Sequence, residues 1–272
     1  MNKLTIIIAA FKCPSWTLHC LEHIKKNTFS EYDLFITDNG CQEKMSKSIK
    51  EFNPKILIKN EKNMGSYYAW NTMLNYVDTE YVAIIDTDCL VSGEWDIKMI
   101  SLLEKDKNIS AVCAMTNYCD SSFYLNISQS MFNEYVKMKP SNKIDLGYQD
   151  IHYLLEEYYM FDGGFEEYSK KIYNKFKESF RYLSEMSTHC VVFRTKTLQK
   201  LDCFDSDFYP HKGAERVLLN KMQSHGLDCV AALGCYVHHH GNATSDGGGF
   251  NVVEMTKKNN LLAEKKMLVS FV

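Results

Sequence analysis

The sequence lacks three features that would point to particular classes of protein. It has no excess of positive charge, since 31 basic and 34 acidic side chains give a formal net charge of -3, and this argues against a nucleic-acid partner. It has no apolar run long enough to cross a membrane, and the run that follows Met1 is also too short for a signal-peptide core. We therefore expect a cytoplasmic protein without a transmembrane segment.

Closely spaced cysteine pairs are also missing. The ten cysteines are scattered singly, and no two have the two-residue separation typical of a zinc knuckle or a redox motif. We interpret them as reduced, mostly buried thiols. Internal repeats and low-complexity linkers are absent as well, so the 45% apolar content predicts one compact domain.

What the sequence does contain is an alternation of short β-branched runs with amphipathic stretches over its first 115 residues. This pattern is typical of βαβ units on a largely parallel sheet flanked by helices, an α/β fold. The predicted strands are 5–10, 34–38, 55–59, 81–86 and 110–115, and the predicted helices are 15–26, 42–52, 66–77 and 94–104. Further along, 190–193 and 227–237 are predicted strands and 214–225 is a predicted helix.

Two carboxylates, Asp86 and Asp88, follow the apolar run 81–85. They are expected where a buried strand reaches the carboxyl edge of the sheet, which is the usual ligand crevice of open α/β folds. A divalent cation with oxygen ligands, bridging to a diphosphate, would balance their charge. The same short pattern also fits a solvated acidic turn.

Two further loops are predicted at the same edge of the sheet. Asp38 ends a second apolar strand and is followed by Asn39 and Gly40, so its carboxylate is placed either to accept hydrogen bonds from a base or ribose or to cap its own turn. Gly65 precedes a helix, and a glycine there lets an anionic ligand approach the helix amides.

Taken in chain order, these motifs resemble the family 2 glycosyltransferases of the GT-A fold. The matching elements are Ala9-Ala10-Phe11, the run 36–40, Asn63-x-Gly65-x3-Ala69-x-Asn71, and Asp86-Thr87-Asp88. The resemblance implies a nucleoside diphosphate sugar donor, expected to be UDP-linked, and a manganese or magnesium ion as cofactor.

The resemblance also implies roles for individual residues. Asp88 would be the direct metal ligand, with Asp86 near the ribose and the metal. Phe11 would lie near the base, and Asp38 would hydrogen-bond the nucleoside. The residues expected to contact the donor are Ala10, Phe11, Asp38, Asn63, Gly65, Asp86 and Thr87.

A looser resemblance continues through 190–194, 201–205 and 212–216. Family members usually carry a Glu-Asp pair at the last of these positions, whereas this chain has Glu215 followed by Arg216. We expect Glu215 to be the general base that takes the proton of an acceptor hydroxyl, with inversion at the sugar. A first-turn glutamate that stabilises a helix dipole is the alternative, and Asp205 and Asp207 are reserve candidates for the base.

The run His238-His239-His240 resembles the family's late histidine, which completes the metal site in some members. On a strand, His238 and His240 would point to one face and His239 to the other. We select His240, which lies nearest the following loop, over His238 as the metal ligand.

The resemblance divides the chain into four segments. Residues 1–116 are the expected nucleotide-sugar-binding half, 117–187 a helical and loop insertion over the cleft, 188–251 the acceptor and catalytic half, and 252–272 an amphipathic tail. The acceptor would be a glycan, a lipid-linked molecule or a protein. The tail lysines 257, 258, 265 and 266 suggest either peripheral membrane contact or a solvated helix face.

Two other functions fit parts of the sequence. A nucleotidyltransferase would share the phosphate-binding α/β core. That function predicts a glycine-rich basic loop after the first strand, and residues 11–14 do not supply one. A sugar-nucleotide-binding module that has lost turnover would explain why Glu215 has no second acid beside it.

Overall fold

The computed structural model describes residues 3–119, 122–138, 146–243 and 249–269. Within these ranges nine strands form one sheet, and helices pack on both of its faces. The predicted α/β architecture, a central sheet flanked by helices, is confirmed.

The strands are β1 Leu4–Ala10, β2 Tyr32–Asn39, β3 Ile56–Asn60, β4 Tyr81–Ile85, β5 Cys89–Val91, β6 Ile109–Thr116, β7 Phe180–Tyr182, β8 Cys190–Arg194 and β9 Asp228–His239. The helices are α1 Pro14–Asn27, α2 Glu43–Lys50, α3 Ser66–Leu74, α4 Trp95–Lys105, α5 Gln129–Met138, α6 Tyr148–Tyr158, α7 Phe165–Phe176, α8 Thr195–Lys200, α9 Ala214–Ser224 and α10 Val252–Val269. Short 3-10 turns occur at Phe123–Leu125 and Met160–Asp162.

The sheet is parallel on one side and mixed on the other. Its strand order is β3-β2-β1-β4-β8-β6-β9-β5, with β7 also pairing with β9. β1 pairs in parallel with both β2 and β4, whereas β8 lies antiparallel between β4 and β6. β5 and β7 pair antiparallel with β9. Neither was predicted, because a strand of three residues is too short to reveal a hydrophobic period.

The strand β1 illustrates how the centre of the sheet is buried. Ile6 and Ile8 pack in a cluster with α1, α2 and α4, while Ile7 packs on the opposite face with α3 and α9. Successive side chains of a strand point to opposite faces, so a strand covered on both sides reads as an uninterrupted apolar run. Each buried isoleucine contributes about 1.5–3 kcal/mol, and this rigid centre supports the loops at the carboxyl ends of β1 and β4.

The C-terminal helix α10 packs beside α9. The buried amide of Asn259 donates to the backbone oxygens of His211, at 2.8 Å, and Lys212, at 2.9 Å. These bonds attach α10 to the loop that precedes α9.

A second attachment of α10 uses Lys266. Its ammonium group lies 2.5 Å from a carboxylate oxygen of Asp205 and 2.6 Å from one of Asp207. One of the four tail lysines considered for membrane contact is therefore paired within the protein. Among the described residues, no helix combines the length and apolarity needed to cross a membrane.

Candidate active site

The two carboxylates of the Asp86-Thr87-Asp88 motif lie where β4 ends, as predicted. The backbone N–H of Asp86 donates to the carbonyl of His189 at 2.9 Å, which joins this turn to the start of β8. The chain then enters β5, whose pairing with β9 sets Cys89 opposite His239. Strand pairing thereby brings Asp88 beside a residue far along the sequence.

Asp88 is buried and contacts the last residue of β9 and two residues of the segment that follows it. Its Oδ1 lies 3.5 Å from Nε2 of His239, and its Oδ2 accepts a hydrogen bond of 3.1 Å from the N–H of Ala243. Its backbone oxygen accepts from the N–H of His240 at 3.0 Å. The carboxylate is therefore fixed in position by the protein itself.

The imidazole of His239 is oriented so that Nε2 faces Asp88. Its Nδ1 lies 2.7 Å from the carbonyl oxygen of Tyr118, and since a carbonyl only accepts, Nδ1 carries the hydrogen. In the neutral ring the lone pair is then on Nε2, the geometry typical of a metal-binding histidine. Burial lowers the pKa of His239, but the charges of Asp88 and Asp86 outweigh this effect and raise it.

The pKa values of the two aspartates of the motif are shifted in opposite directions. Burial, followed by the negative charge of Asp88, raises the pKa of Asp86. Burial would also raise the pKa of Asp88, but the adjacent His239 and the other donors around it lower the pKa below its usual range. Two neighbouring carboxylates that resist carrying charge together are stabilised by a cation.

The donor set here fits a divalent cation. Ligand atoms of Asp88, Cys89 and His239 all lie within 4.8 Å of one another. Burial and the charges of Asp88 and Asp86 raise the pKa of Cys89 well above its usual value. The carboxylate of Asp88 and the imidazole of His239 are donors that a divalent cation can use.

The other two histidines of the run contact aromatic side chains. Nδ1 of His240 hydrogen-bonds the Tyr135 hydroxyl, and its ring stacks on Trp16 with centroids 4.2 Å apart. Nδ1 of His238 lies 2.8 Å from the Tyr159 hydroxyl within a buried tyrosine cluster. The alternation expected for the run is present, and Nε2 of His239 faces the Asp88 carboxylate, while His240 as the metal ligand stays a prediction.

A pocket opens beside the motif. Asp86, Thr87, Asp88 and His239 line one side, and Trp70, Lys212 and Glu215 are also among its lining residues. Ala9 of β1 lines the pocket. The side chain of Ala10, which was predicted to contact the donor, packs into the core.

Asp38 makes two local contacts at the end of β2. One carboxylate oxygen accepts from the N–H of Cys41 at 2.8 Å, and the other accepts from the hydroxyl of Ser46. These bonds account for its burial as the cap of its own turn, and its contact with a nucleoside stays a prediction. Phe11, the other residue predicted near the base, is half-buried and lies 5.5 Å from the ammonium group of Lys12.

Asn39 organises the neighbouring loop, a role that the sequence did not reveal. Its amide donates to Oδ1 of Asn63 at 2.9 Å and to the carbonyl of Gly65 at 3.3 Å. Asn63 Oδ1 in turn accepts from the N–H of Gly65 at 2.8 Å. Gly65 has a φ of 89°, a left-handed conformation that favours glycine. Two of the predicted donor contacts, Asn63 and Gly65, thus belong to one rigid turn.

Glu215 lies in the first turn of α9 and is buried. Its two carboxylate oxygens accept from the N–H of Gly213 at 3.0 and 2.9 Å, and Oε2 also accepts from the Tyr67 hydroxyl of α3. The reserve candidates for the base, Asp205 and Asp207, are instead ion-paired with Lys266.

Asn71 connects α3 to the chain that leads into α9. Its amide donates to the carbonyl of Phe204, and its Oδ1 accepts from the N–H of the same residue at 3.1 Å. The sequence pattern included Asn71 without a role. The structure shows that it fixes the helix carrying Tyr67 and Trp70 relative to the segment that carries Glu215.

The fold together with this arrangement defines a GT-A-type nucleotide-diphospho-sugar transferase domain. The model of the family described as Glycosyl transferase family 2 matches residues 5–176. This stretch is more than half of the chain. The chain therefore belongs to glycosyl transferase family 2.

Curated relatives and solved structures agree with this assignment. A teichoic acid poly(glycerol phosphate) polymerase of Staphylococcus epidermidis is 32% identical over 93 residues, which are 32% of this chain and 13% of that protein. The hyaluronan synthase of Pasteurella multocida is 25% identical over 226 residues, 79% of this chain and 22% of that protein. The chain thus spans a small part of the length of these relatives.

Two solved structures share the fold at low sequence identity. The mannosyltransferase PcManGT from Pyrobaculum calidifontis, in complex with GDP-Man and Mn2+, superposes with a TM-score of 0.58 at 14% identity over 88% of this chain and 57% of that one. GalNAc-T7, with UDP, GalNAc and Mn2+, also gives a TM-score of 0.58, at 13% identity over 88% of this chain and 44% of that one.

Proposed function

We propose that this chain transfers a sugar from a nucleoside diphosphate donor, with UDP as the first nucleotide to test, to an acceptor hydroxyl with inversion of configuration. The observation that carries this proposal is the position of Asp88 and His239 beside a pocket that Glu215 also lines. The proposed cation site and the proposed base would then line the same cavity, as sugar transfer from a diphosphate requires.

Asp88 and His239 would hold the divalent cation, with support from Asp86. Manganese or magnesium bound there would neutralise the charge that develops on the leaving diphosphate. The proposal replaces His240 by His239, because Nε2 of His239 faces the Asp88 carboxylate. The metal-bearing solved structures of the same fold support the choice of manganese for the first assays.

Glu215 would act as the general base. In the reaction, the acceptor oxygen attacks the anomeric carbon, the bond from that carbon to the diphosphate oxygen breaks, and the proton of the acceptor hydroxyl passes to Glu215. The hydrogen bonds from Tyr67 and Gly213 orient its carboxylate before the acceptor arrives. Attack from the face opposite the diphosphate gives inversion.

The donor would lie across the carboxyl ends of β1 and β4. Asp86 and Thr87 line the pocket there, and Phe11, Asp38, Asn63 and Gly65 are proposed to bind the nucleoside end. We further propose that residues 1–116 supply donor binding and 188–251 the catalytic half.

The deciding experiment measures nucleotide release from UDP- and GDP-sugars with Mn2+ and with EDTA, for the natural chain and for Asp88→Asn and Glu215→Gln. We expect Mn2+-dependent turnover that both variants reduce by at least about a hundredfold. Full activity in either variant would contradict its assigned role. Nucleotide-sugar binding without turnover in the natural chain would instead identify a binding module.

A further inference from the structure

A second groove adjoins the donor pocket on the side of α10. It lies between the start of α9 and the first half of α10, and Lys212 and Glu215 line both cavities. Because one carboxylate borders both spaces, a molecule in the groove can present a hydroxyl to Glu215 while the donor occupies the pocket.

The attachments of α10 hold the walls of this groove in place. Asn259, almost fully buried, bonds the backbone of the loop that carries Lys212. The other attachment, through Lys266, lies further along the same helix. The groove therefore has two walls that are fixed relative to each other.

Cationic side chains are distributed along the groove. Lys212 lies at its junction with the pocket, Arg216 on the α9 wall and Lys257 on the α10 wall. Two acids also line it, Glu215, which is buried against Tyr67, and the exposed Glu185. The Arg216 guanidinium is held by a hydrogen bond of 3.1 Å to Oδ1 of Asn260.

Arg216 directly follows Glu215 in the first turn of α9. It therefore places a positive charge next to the proposed base, on a wall of the groove. An oriented guanidinium is well suited to bind the oxygens of a phosphate group through paired hydrogen bonds.

We propose that the groove is the acceptor site and that the acceptor carries a phosphate group near the hydroxyl that receives the sugar. This inference rests on the proposed transferase function. Arg216 and Lys257 bind the phosphate from opposite walls, and Glu215 takes the hydroxyl proton. Val252 and Leu261 also line the groove, so the phosphate can belong to a lipid-linked or a water-soluble acceptor.

The test compares transfer with donor hydrolysis in the same samples. Acceptors are offered as two matched pairs. One pair is glycerol 3-phosphate and glycerol, and the other is a detergent-solubilised polyprenyl phosphate sugar and the corresponding neutral alkyl glycoside. The binding of each acceptor to the nucleotide-loaded protein is measured in parallel. We expect binding or transfer for a phosphate-bearing member and at least tenfold less for its neutral partner. Success of only the lipid pair, or of only the soluble pair, identifies the source.

Variants then locate the phosphate contact. Arg216→Gln should raise the KM or Kd of the phosphate-bearing acceptor at least tenfold, and Lys257→Gln at least threefold. Lys258→Gln, on the exposed neighbouring position of α10, is the matched control and should leave both values unchanged.

Three results would overturn the inference while leaving the transferase function intact: equal use of neutral and phosphate-bearing acceptors, no binding or transfer with any phosphate-bearing acceptor, or a KM that Arg216→Gln does not change. Loss of Mn2+-dependent donor hydrolysis in the natural chain would instead contradict the proposed function itself.

Discussion

The Tyr67 hydroxyl of α3 donates a hydrogen bond to Oε2 of Glu215 in the first turn of α9. The bond joins two helices that both line the pocket, and it is buried. It connects the proposed base to the helix that follows the Gly65 turn, so the position of the base depends on both halves of the site.

Tyr67→Phe should lower kcat about tenfold or more, because a hydrogen bond to a charged group is worth about 1.5–3 kcal/mol. The KM for the nucleotide sugar should change little. Steady-state kinetics with Mn2+ tests this, with Tyr68→Phe on the exposed neighbouring position as the control. An unchanged kcat would show that the hydroxyl does not position the base.

His239→Ala should weaken Mn2+ binding about tenfold or more, since each tenfold change in Kd corresponds to about 1.4 kcal/mol. His240→Ala should change Mn2+ affinity much less, because its ring is engaged with Tyr135 and Trp16. Calorimetric titration with Mn2+ compares the two, and thermal unfolding shows that each variant is folded. The reverse order of effects would restore His240 as the ligand.

His189 provides a prediction for pH dependence. It is buried between Ser187 and the carbonyl of Ala114, and burial lowers its pKa from 6.5 to about 3. The unfolded chain therefore binds a proton below pH 6.5 that the folded chain does not bind, and folding stability falls as the pH falls from 6.5 towards 3.

At pH 5 the contribution of His189 is a loss of about 1.6 kcal/mol relative to pH 6.5, because the unfolded imidazole is already half protonated at pH 6.5 and the slope rises to about 1.36 kcal/mol per pH unit only below that pH. Urea unfolding at several pH values measures this loss. His189→Gln should reduce the change in the free energy of unfolding between pH 6.5 and 5 by that amount. An equally steep dependence in the variant would assign the effect to other groups.

Asn71→Ala should lower the free energy of unfolding by about 1–3 kcal/mol, because it leaves the buried backbone groups of Phe204 without their partner. The same change should raise the KM for the donor, since it loosens α3 relative to α9. Asn75→Ala, on an exposed position of the same segment, should stay within about 0.5 kcal/mol. Equal destabilisation by the two variants would contradict the proposed connection.

Several features of the fold could be predicted because their signals are local. The apolar run of β4 followed by two carboxylates indicated a buried strand and a ligand edge, and the structure has Asp86 directly after Ile85. The sequence did not indicate that β8 lies antiparallel between β4 and β6, because the residue pattern within a strand does not identify the strands with which it pairs.

The proposed choice of His239 over His240 could not be made from the sequence for a similar reason. Alternation separates His239 from its neighbours, but it does not state which face meets the metal site. That face is set by the pairing of Cys89 with His239. In addition, the register between β6 and β9 shifts after Ala114, where Met115 pairs with Tyr236, so counting from the start of β9 does not give the face at its end.

The link between Asp88 and the loop after β9 spans 155 positions of the chain. A ribosome-bound chain that ends before His239 lacks one of the two proposed metal donors, however well its first strands have paired. Acquisition of Mn2+ affinity would thus mark the docking of β9. For the same reason, a fragment restricted to the first half of the chain would be a poor surrogate for measuring metal binding.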